Sequence, residues 1–195
     1  MDGILERLFE SVPKVRVLRL FMRNPDNPFA FHEIVKRSQI RSKRVRTEVR
    51  KLLKLNIIES KKVRQPERKR RIEVFSTNPE FYFFTELQEL INKGSTASRK
   101  KLLRQIKSLG SVKLAVISGI FLNNDARTDL LLVGDGVKKK KIENLLIQLE
   151  SELGKSVRYT LMDTDEFKYR IDMYDRFLRD ILEYKNEKLI NKFDI

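Results

Sequence analysis

Between Ser42 and Lys54, Val45, Val49, Leu52 and Leu53 recur at i, i+4, i+7 and i+8, which places them on one face of a helix. Arg44, Arg46, Thr47, Arg50, Lys51 and Lys54 occupy much of the remaining circumference. Such a helix must bury one side and keep a cationic side in water, so it belongs to a small core built from several elements. Ser42 stands in place to cap its start. At its end, Leu55-Asn56-Ile57-Ile58 puts an asparagine where a left-handed residue closes a helix, a conformation asparagine tolerates better than most. Two strand-like runs follow, residues 57–63 and 71–76, joined by the basic loop Arg64-Gln65-Pro66-Glu67-Arg68-Lys69-Arg70 with its proline turn signal.

The elements upstream are short. Ile4, Leu5, Leu8 and Phe9 form an apolar stripe, and Pro13 stands where the first turn of a helix accepts it, with Ser11 as cap. Val15, Leu18, Phe21 and Met22 repeat at helical spacing until Asn24-Pro25-Asp26-Asn27-Pro28 ends the helix. Phe29-Ala30-Phe31 reads as a short strand before a second helix, residues 32–38, with Ile34 and Val35 inward. After the hairpin, Asn78-Pro79 closes the chain into a further apolar helix over 81–93, and Gly94-Ser95-Thr96 marks a domain boundary. The expected domains are 1–93 and 94–195.

The second half alternates helices with apolar runs. A basic helix over 98–109 (Leu102, Leu103 and Ile106 inward) stops at Gly110. Residues 112–118 and 128–133 read as buried strands around an excursion at 119–127, and Gly134-Asp135-Gly136 reads as a turn. A helix over 137–153 follows the surface run Lys138, Lys139, Lys140 and Lys141; its inner face is Ile142, Leu145, Leu146 and Leu149, and Gly154 ends it. Residues 157–162 form a third strand, Asp163 or Thr164 caps a helix over 165–170, a helix covers 175–184, and 188–190 suits an edge strand. The expected class is α+β or α/β in two domains, the second a small α/β domain.

Charge is localised. Residues 36–71 hold 16 Lys or Arg against three acids, a net +13 of the chain's +15, whereas residues 101–195 carry 18 basic and 15 acidic residues. A field so concentrated over one helix and one loop favours a polyanionic partner. Arg and Lys on a helix read guanine edges in the major groove and Ser or Thr serve several bases, which selects Ser42, Lys43, Arg46, Thr47 and Arg50. Arg68, Lys69, Arg70 and Arg71 suit phosphate or minor-groove contact, and Lys61 and Lys62 flank the backbone. The bland alternative is that these cations merely solvate a helix and a loop. With no cysteine and one histidine, disulfides, thiolate chemistry and most metal sites are excluded, so no metal and no cofactor is expected, and His32 reads as a surface or cap residue. Met1-Asp2-Gly3-Ile4 does not begin a signal peptide, and the apolar runs near 117–122 and 130–133 are too short to cross a membrane, so a cytoplasmic protein is expected.

In the order of its elements, residues 12–78 resemble the winged helix-turn-helix domains of bacterial and archaeal transcriptional regulators. The segment from Val45 to Ile58 resembles their recognition helix and first wing strand, with Asn56 where glycine is usual. The resemblance implies double-stranded DNA as partner and a homodimer. The second half resembles the minimal nucleotidyltransferase domain of the DNA polymerase beta superfamily, through Ser118-Gly119 and Thr128-Asp129-Leu130-Leu131-Leu132-Val133-Gly134-Asp135. In that family a Gly-Ser pair precedes a strand with two acids in Asp-x-Asp spacing, and a later strand supplies a third. Here the pair is reversed, Arg127 occupies the first acid's position, Asp129 matches the second, and the strand around Val157-Arg158-Tyr159-Thr160-Leu161 offers no carboxylate. A cation in a ligand position repels Mg²⁺, so the resemblance implies a degenerate site at Ser118, Gly119, Arg127 and Asp129, with no catalytic residue. Asp129 then suits a structural role capping the 119–127 excursion, while Arg127 with Ser118, Asn123 or Asn124 leaves room for a nucleotide or other anionic effector. The expected function is a DNA-binding transcriptional regulator that is not an enzyme. The alternatives are a Mg-dependent nucleotidyltransferase of toxin–antitoxin type acting on nucleic acid or protein, and a non-specific RNA or chromosomal DNA binder. The four aromatics Phe81, Tyr82, Phe83 and Phe84 exceed one helix face and suit interdomain packing or a dimer surface.

Overall fold

The computed structural model describes residues 3–64, 71–93 and 99–194. The chain is a mixed α/β protein in two compact units, Met1–Ser95 with Ile147–Ser156, and Thr96–Leu146 with Val157–Ile195.

The first unit is built around α2 (Val12–Met22), which follows the short α1 (Ile4–Leu8). Ser11 caps α2, its Oγ accepting from the Lys14 N–H at 3.2 Å, and Pro13 lies in the first turn, where no backbone donor is missed. Val15, Val17, Leu18, Leu20, Phe21 and Met22 are all buried, so α2 is apolar on most of its circumference and runs through the core. In α1 only Leu5 is buried; Ile4 and Leu8 of the expected stripe face solvent. The two-residue strand β1 (Phe29–Ala30) leads directly into α3 (Phe31–Ser38), whose start is held by Glu33 Oε2 accepting from the Ala30 N–H at 2.7 Å.

Next come α4 (Ser42–Lys54) and the hairpin of β2 (Ile58–Arg64) and β3 (Arg71–Thr77). Arg41, not Ser42, is the N-cap of α4, and no side chain caps it; Ser42 is one residue inside the helix. The C-terminus closes as expected. Asn56 has φ 55, its N–H donates to the Leu53 carbonyl and the Ile57 N–H donates to the Leu52 carbonyl, both at 3.0 Å, the paired bonds of a Schellman motif. The sheet order is β1-β3-β2, all antiparallel, with Phe29 opposite Phe75 and Arg64 opposite Arg71. The hairpin base is tied by the Asn78 N–H to the Ile57 carbonyl, and α5 (Phe84–Lys93) follows. This helix starts three residues later than its apolar composition suggests, because 81–83 form a turn. Phe81 and Phe84 pack on the core, while Tyr82 and Phe83 are 85% and 56% exposed.

The second unit begins its described part with α6 (Arg99–Lys107), followed by β4 (Ser111–Ile117), a 3₁₀ turn Gly119–Phe121, β5 (Leu130–Asp135) and α7 (Lys139–Leu153), whose last turns belong to the first unit. The expected boundary Gly94-Ser95-Thr96 and the expected first residue of the α6 region, Ser98, lie outside the described residues. Then come β6 (Tyr159–Met162), α8 (Thr164–Asp172), α9 (Arg176–Glu183) and β7 (Glu187–Asn191). The sheet order is β6-β5-β4-β7; β5 runs parallel to β6 and antiparallel to β4, and β7 pairs antiparallel to β4 at the edge. Leu114, Val116, Leu131 and Val133 pack with Phe167, Leu178 and Ile181 on one face, and the alternating Ala115, Ile117, Leu130 and Leu132 are buried too, so the central strands are covered on both sides. Asp163 caps α8, its Oδ1 accepting from the Glu166 N–H at 2.7 Å.

Gly134 is a strand residue rather than the start of a turn. It pairs with Val112 beside a register shift, and a Cβ there would lie 2.4 Å from the Ser111 carbonyl oxygen, so only glycine lets the strands approach. Asp135, the last residue of β5, fastens the start of α8: its carboxylate accepts from the Thr164 N–H at 3.0 Å, from Thr164 Oγ1 at 2.6 Å and from Lys113 Nζ at 2.9 Å. Hydrogen bonds from Thr164 and Lys113 hold its carboxyl well below the usual carboxylate range. A depressed folded-state pKa stabilises the fold above the ordinary carboxyl pKa, and that contribution is lost as pH falls through the folded value. Asp135→Asn should therefore flatten the acid limb of the stability–pH curve below the ordinary aspartate pKa of about 4, and leave the slope between there and neutral pH unchanged. Denaturant unfolding at stepped pH measures this, and curves that stay parallel would remove Asp135 from the account of acid lability.

Candidate nucleic-acid interface

The α4 face is produced by the helical period itself. Val45, Val49 and Leu52 are buried, and Ser42, Lys43, Arg46, Thr47 and Arg50 are all exposed, as are Arg44, Lys51 and Lys54. Glu48 is also buried, which its acidic type gave no reason to expect. It lies three residues from Val45 on the inner side, where Oε1 receives Lys51 Nζ at 3.1 Å and Oε2 has no partner. Thr47 Oγ1 donates back to the Lys43 carbonyl at 3.1 Å, a bond that leaves its methyl group and an oxygen lone pair outward.

Two arginines are steadied by rings. The Arg46 guanidinium lies 5.1 Å from the centroid of Phe31, and Arg37 lies 5.1 Å from that of Phe29, both within cation–π range. Phe31 opens α3 and Phe29 is in β1, so the α3 approach fixes side chains that point into solvent. Arg37 belongs to no motif, and its only signal in the sequence is its position one turn before the α3–α4 corner. Arg16 Nη1 donates to the Ser38 carbonyl at 3.2 Å at that same corner.

On the hairpin, Lys61, Lys62 and Arg71 are exposed, and Arg68, Lys69 and Arg70 lie outside the described residues. Lys61 Nζ is 2.7 Å from Glu59, and its hydrogen bond lowers the Glu59 pKa. Lys62 faces Glu73 across the strands, but Arg64 faces Arg71. Like charges directly opposite destabilise a ladder, so this pair supplies positive field at some cost to the hairpin. Arg64 joins the cationic set through strand register alone. His32 is on the surface, as expected.

In the second unit the structure brings together three of the four positions singled out by sequence. Asp129 is buried just before β5. Its Oδ1 accepts from the Ile120 N–H at 2.9 Å and its Oδ2 from the Arg158 N–H at 2.8 Å, while the Arg158 guanidinium reaches both oxygens at 3.2 and 3.3 Å. Gly119, with φ 53, makes room for this carboxylate: a Cβ would sit 1.9 Å from Oδ1. Ser118 Oγ donates to the Thr128 carbonyl. Asp129 thus pins the 3₁₀ turn and the approach to β6, and Arg158, notable in the sequence only as the absence of an acid, is its counter-ion. Of the expected anion pocket of Arg127 with Ser118, Asn123 or Asn124, Arg127 lies 3.4 Å from Asp180, Asn124 Nδ2 donates to the Lys185 carbonyl and Ser118 Oγ to the Thr128 carbonyl. Among the described residues no group of three or more His, Asp or Glu side chains is placed to hold a metal ion, and no helix is long and apolar enough to cross a membrane. Compared with family models, with curated proteins and with solved structures, the chain has no match.

Proposed function

We propose that the protein is a DNA-binding transcriptional regulator whose first unit is a winged helix-turn-helix domain, with α4 as recognition helix and the β2–β3 hairpin as wing. The order α2, β1, α3, α4, β2, β3 and the sheet order β1-β3-β2 are compatible with such a domain and support the reading. The observation that carries the reading is that Ser42, Lys43, Arg46, Thr47 and Arg50 all project into solvent from a helix whose opposite side is core. On the hairpin Arg64 and Arg71 face each other, and water or phosphate must absorb the repulsion.

The second unit is proposed to be a nucleotidyltransferase-like domain without transferase chemistry. Asp129, which would have to turn a free carboxylate toward a metal, instead meets two backbone donors and a guanidinium. A two-fold dimer suits regulators of this kind, and the exposed Tyr82, Phe83 and Leu90 around α5 offer apolar area for it. The test is enrichment of bound genomic duplex followed by salt-dependent titration of the enriched site against random duplex. A specificity ratio of about 10³ or more is expected. A ratio near one would reduce the protein to a non-specific polyanion binder.

A further inference from the structure

We propose that the second unit carries its own contact surface for duplex phosphates, formed by α6 and the first turn of α7, independent of the α4 face. In α6, Lys100, Arg104 and Lys107 fall at i, i+4 and i+7, one exposed stripe opposite the buried Leu102 and Ile106. The stripe continues onto α7, because Lys141 Nζ donates to the Ser108 carbonyl at 3.0 Å and so joins the end of α6 to the start of α7. Lys138, Lys139 and Lys140 are exposed beside it, and neither 99–107 nor 138–141 contains an acid.

Helix physics does not call for this charge. The N-terminus of a helix carries positive partial charge and unpaired N–H groups, so a first turn favours acids. The 15-residue α7 puts lysines there and no acid, and α6 starts with Arg99, Lys100 and Lys101, of which Arg99 pairs with Glu187. Among the described helices α1, α3, α5 and α8 place an acid in the first turn, whereas α2, α4 and α9, like α6 and α7, do not. What sets α6 and α7 apart is the unbroken run Lys138, Lys139, Lys140 and Lys141 beside the α6 stripe, a concentration of like charge whose mutual repulsion an anionic partner relieves. The α7 dipole and the lysines then add to one potential suited to phosphate.

The chemistry selects a duplex backbone. Lysines outnumber arginines, which suits phosphate as a point charge more than base edges. No aromatic residue interrupts either run, so there is no stacking platform for single strands. Leu102 and Ile106 of α6 and Ile142 at the start of α7 are buried, so the surface formed by α6 and the first turn of α7 has no apolar side chain to insert in a bilayer. From Lys100 to Lys107 the helix rises about 10 Å, which at 3.4 Å per phosphate along the axis spans roughly three phosphates of one strand.

The experiment uses the full chain with Lys100→Gln, Arg104→Gln, Lys139→Gln and Lys140→Gln combined. A control with Lys168→Gln, Arg176→Gln, Lys185→Gln and Lys192→Gln loses the same charge from other exposed sites of this unit. The readout is the slope of log affinity against log salt on random duplex. The first variant is expected to be shallower by about 2–4, at about 0.9 per phosphate no longer neutralised, and the control by less than about one. Melting temperature should hold or rise, since two cations leave the N-terminus of α7. Equal slopes for variant and control would overturn the proposal, as would an affinity decrease seen on anionic vesicles or an acidic protein but not on duplex. An Arg46→Ala, Arg50→Ala chain separates the two readings: if it loses discrimination but keeps the slope contributed by α6 and α7, both stand. If discrimination was absent from the start while the α6–α7 variant still changes the slope, only the α4 reading falls.

Discussion

Asp129→Ala is expected to destabilise the second unit by about 2–6 kcal/mol, the loss of two hydrogen-bond acceptors at about 1–3 kcal/mol each. The side chain is 3% exposed and accepts from two backbone N–H groups on different segments, Ile120 in the 3₁₀ turn and Arg158 before β6. Truncation leaves both donors facing a void, at about 1–3 kcal/mol each. The guanidinium of Arg158 adds less, because it is 56% exposed and water takes over its charge. Asp129 raises the Arg158 pKa through their hydrogen bond, the same interaction seen from the other partner. Asp129→Asn should fare little better than alanine, since its amide nitrogen must face at least one of these donors. Denaturant unfolding followed by near-UV signal measures the destabilisation; a change below about 1 kcal/mol, the net worth of one ordinary hydrogen bond, would show that the site relaxes around the deletion. The result also bears on chemistry. Label transfer that disappears in Asp129→Ala speaks for a transferase only when the folded fraction is measured in the same sample.

What local pattern determines was legible in the sequence. The i, i+4, i+7 spacing of α4 identified its buried and exposed sides, and Asn56 identified its end, because both depend on neighbours within one turn. Ser11 and Asp163 were legible as caps for the same reason. What long-range pairing determines was not. Arg158 meets Asp129 across 29 residues only once β5 and β6 pair in parallel, and Arg127, in the loop before β5, meets Asp180 on α9. The opposition of Arg64 and Arg71 follows from the hairpin register, which the composition of 57–76 does not fix. Glu48 illustrates the reverse difficulty. Its spacing from Val45 is that of an inward position, but a carboxylate is rarely buried, so residue type and helical position point in opposite directions. The late start of α5 has a similar origin: four consecutive aromatics cannot share a helix face, and the chain resolves the conflict by keeping Phe81 and Phe84 on the core and turning Tyr82 and Phe83 out.

On the enriched site, Arg46→Ala is expected to cost about 5- to 150-fold in discrimination against random duplex, the roughly 1–3 kcal/mol of a bidentate arginine–guanine pair. Arg46→Ala with Arg50→Ala should depart from the product of the single effects, because residues one helical turn apart are neighbours and their contributions couple. Arg46 has the better-defined pose. Its guanidinium already rests against Phe31, so less rotamer freedom is lost when it meets a base. Lys62→Ala removes an exposed charge that faces Glu73 and reads no base, so it should weaken specific and random duplex alike and lower the salt slope by at most about one. The contrast between these variants is the decisive quantity. If Arg46→Ala lowers affinity equally for both duplexes, α4 supplies charge without sequence information, and the recognition helix must be sought elsewhere.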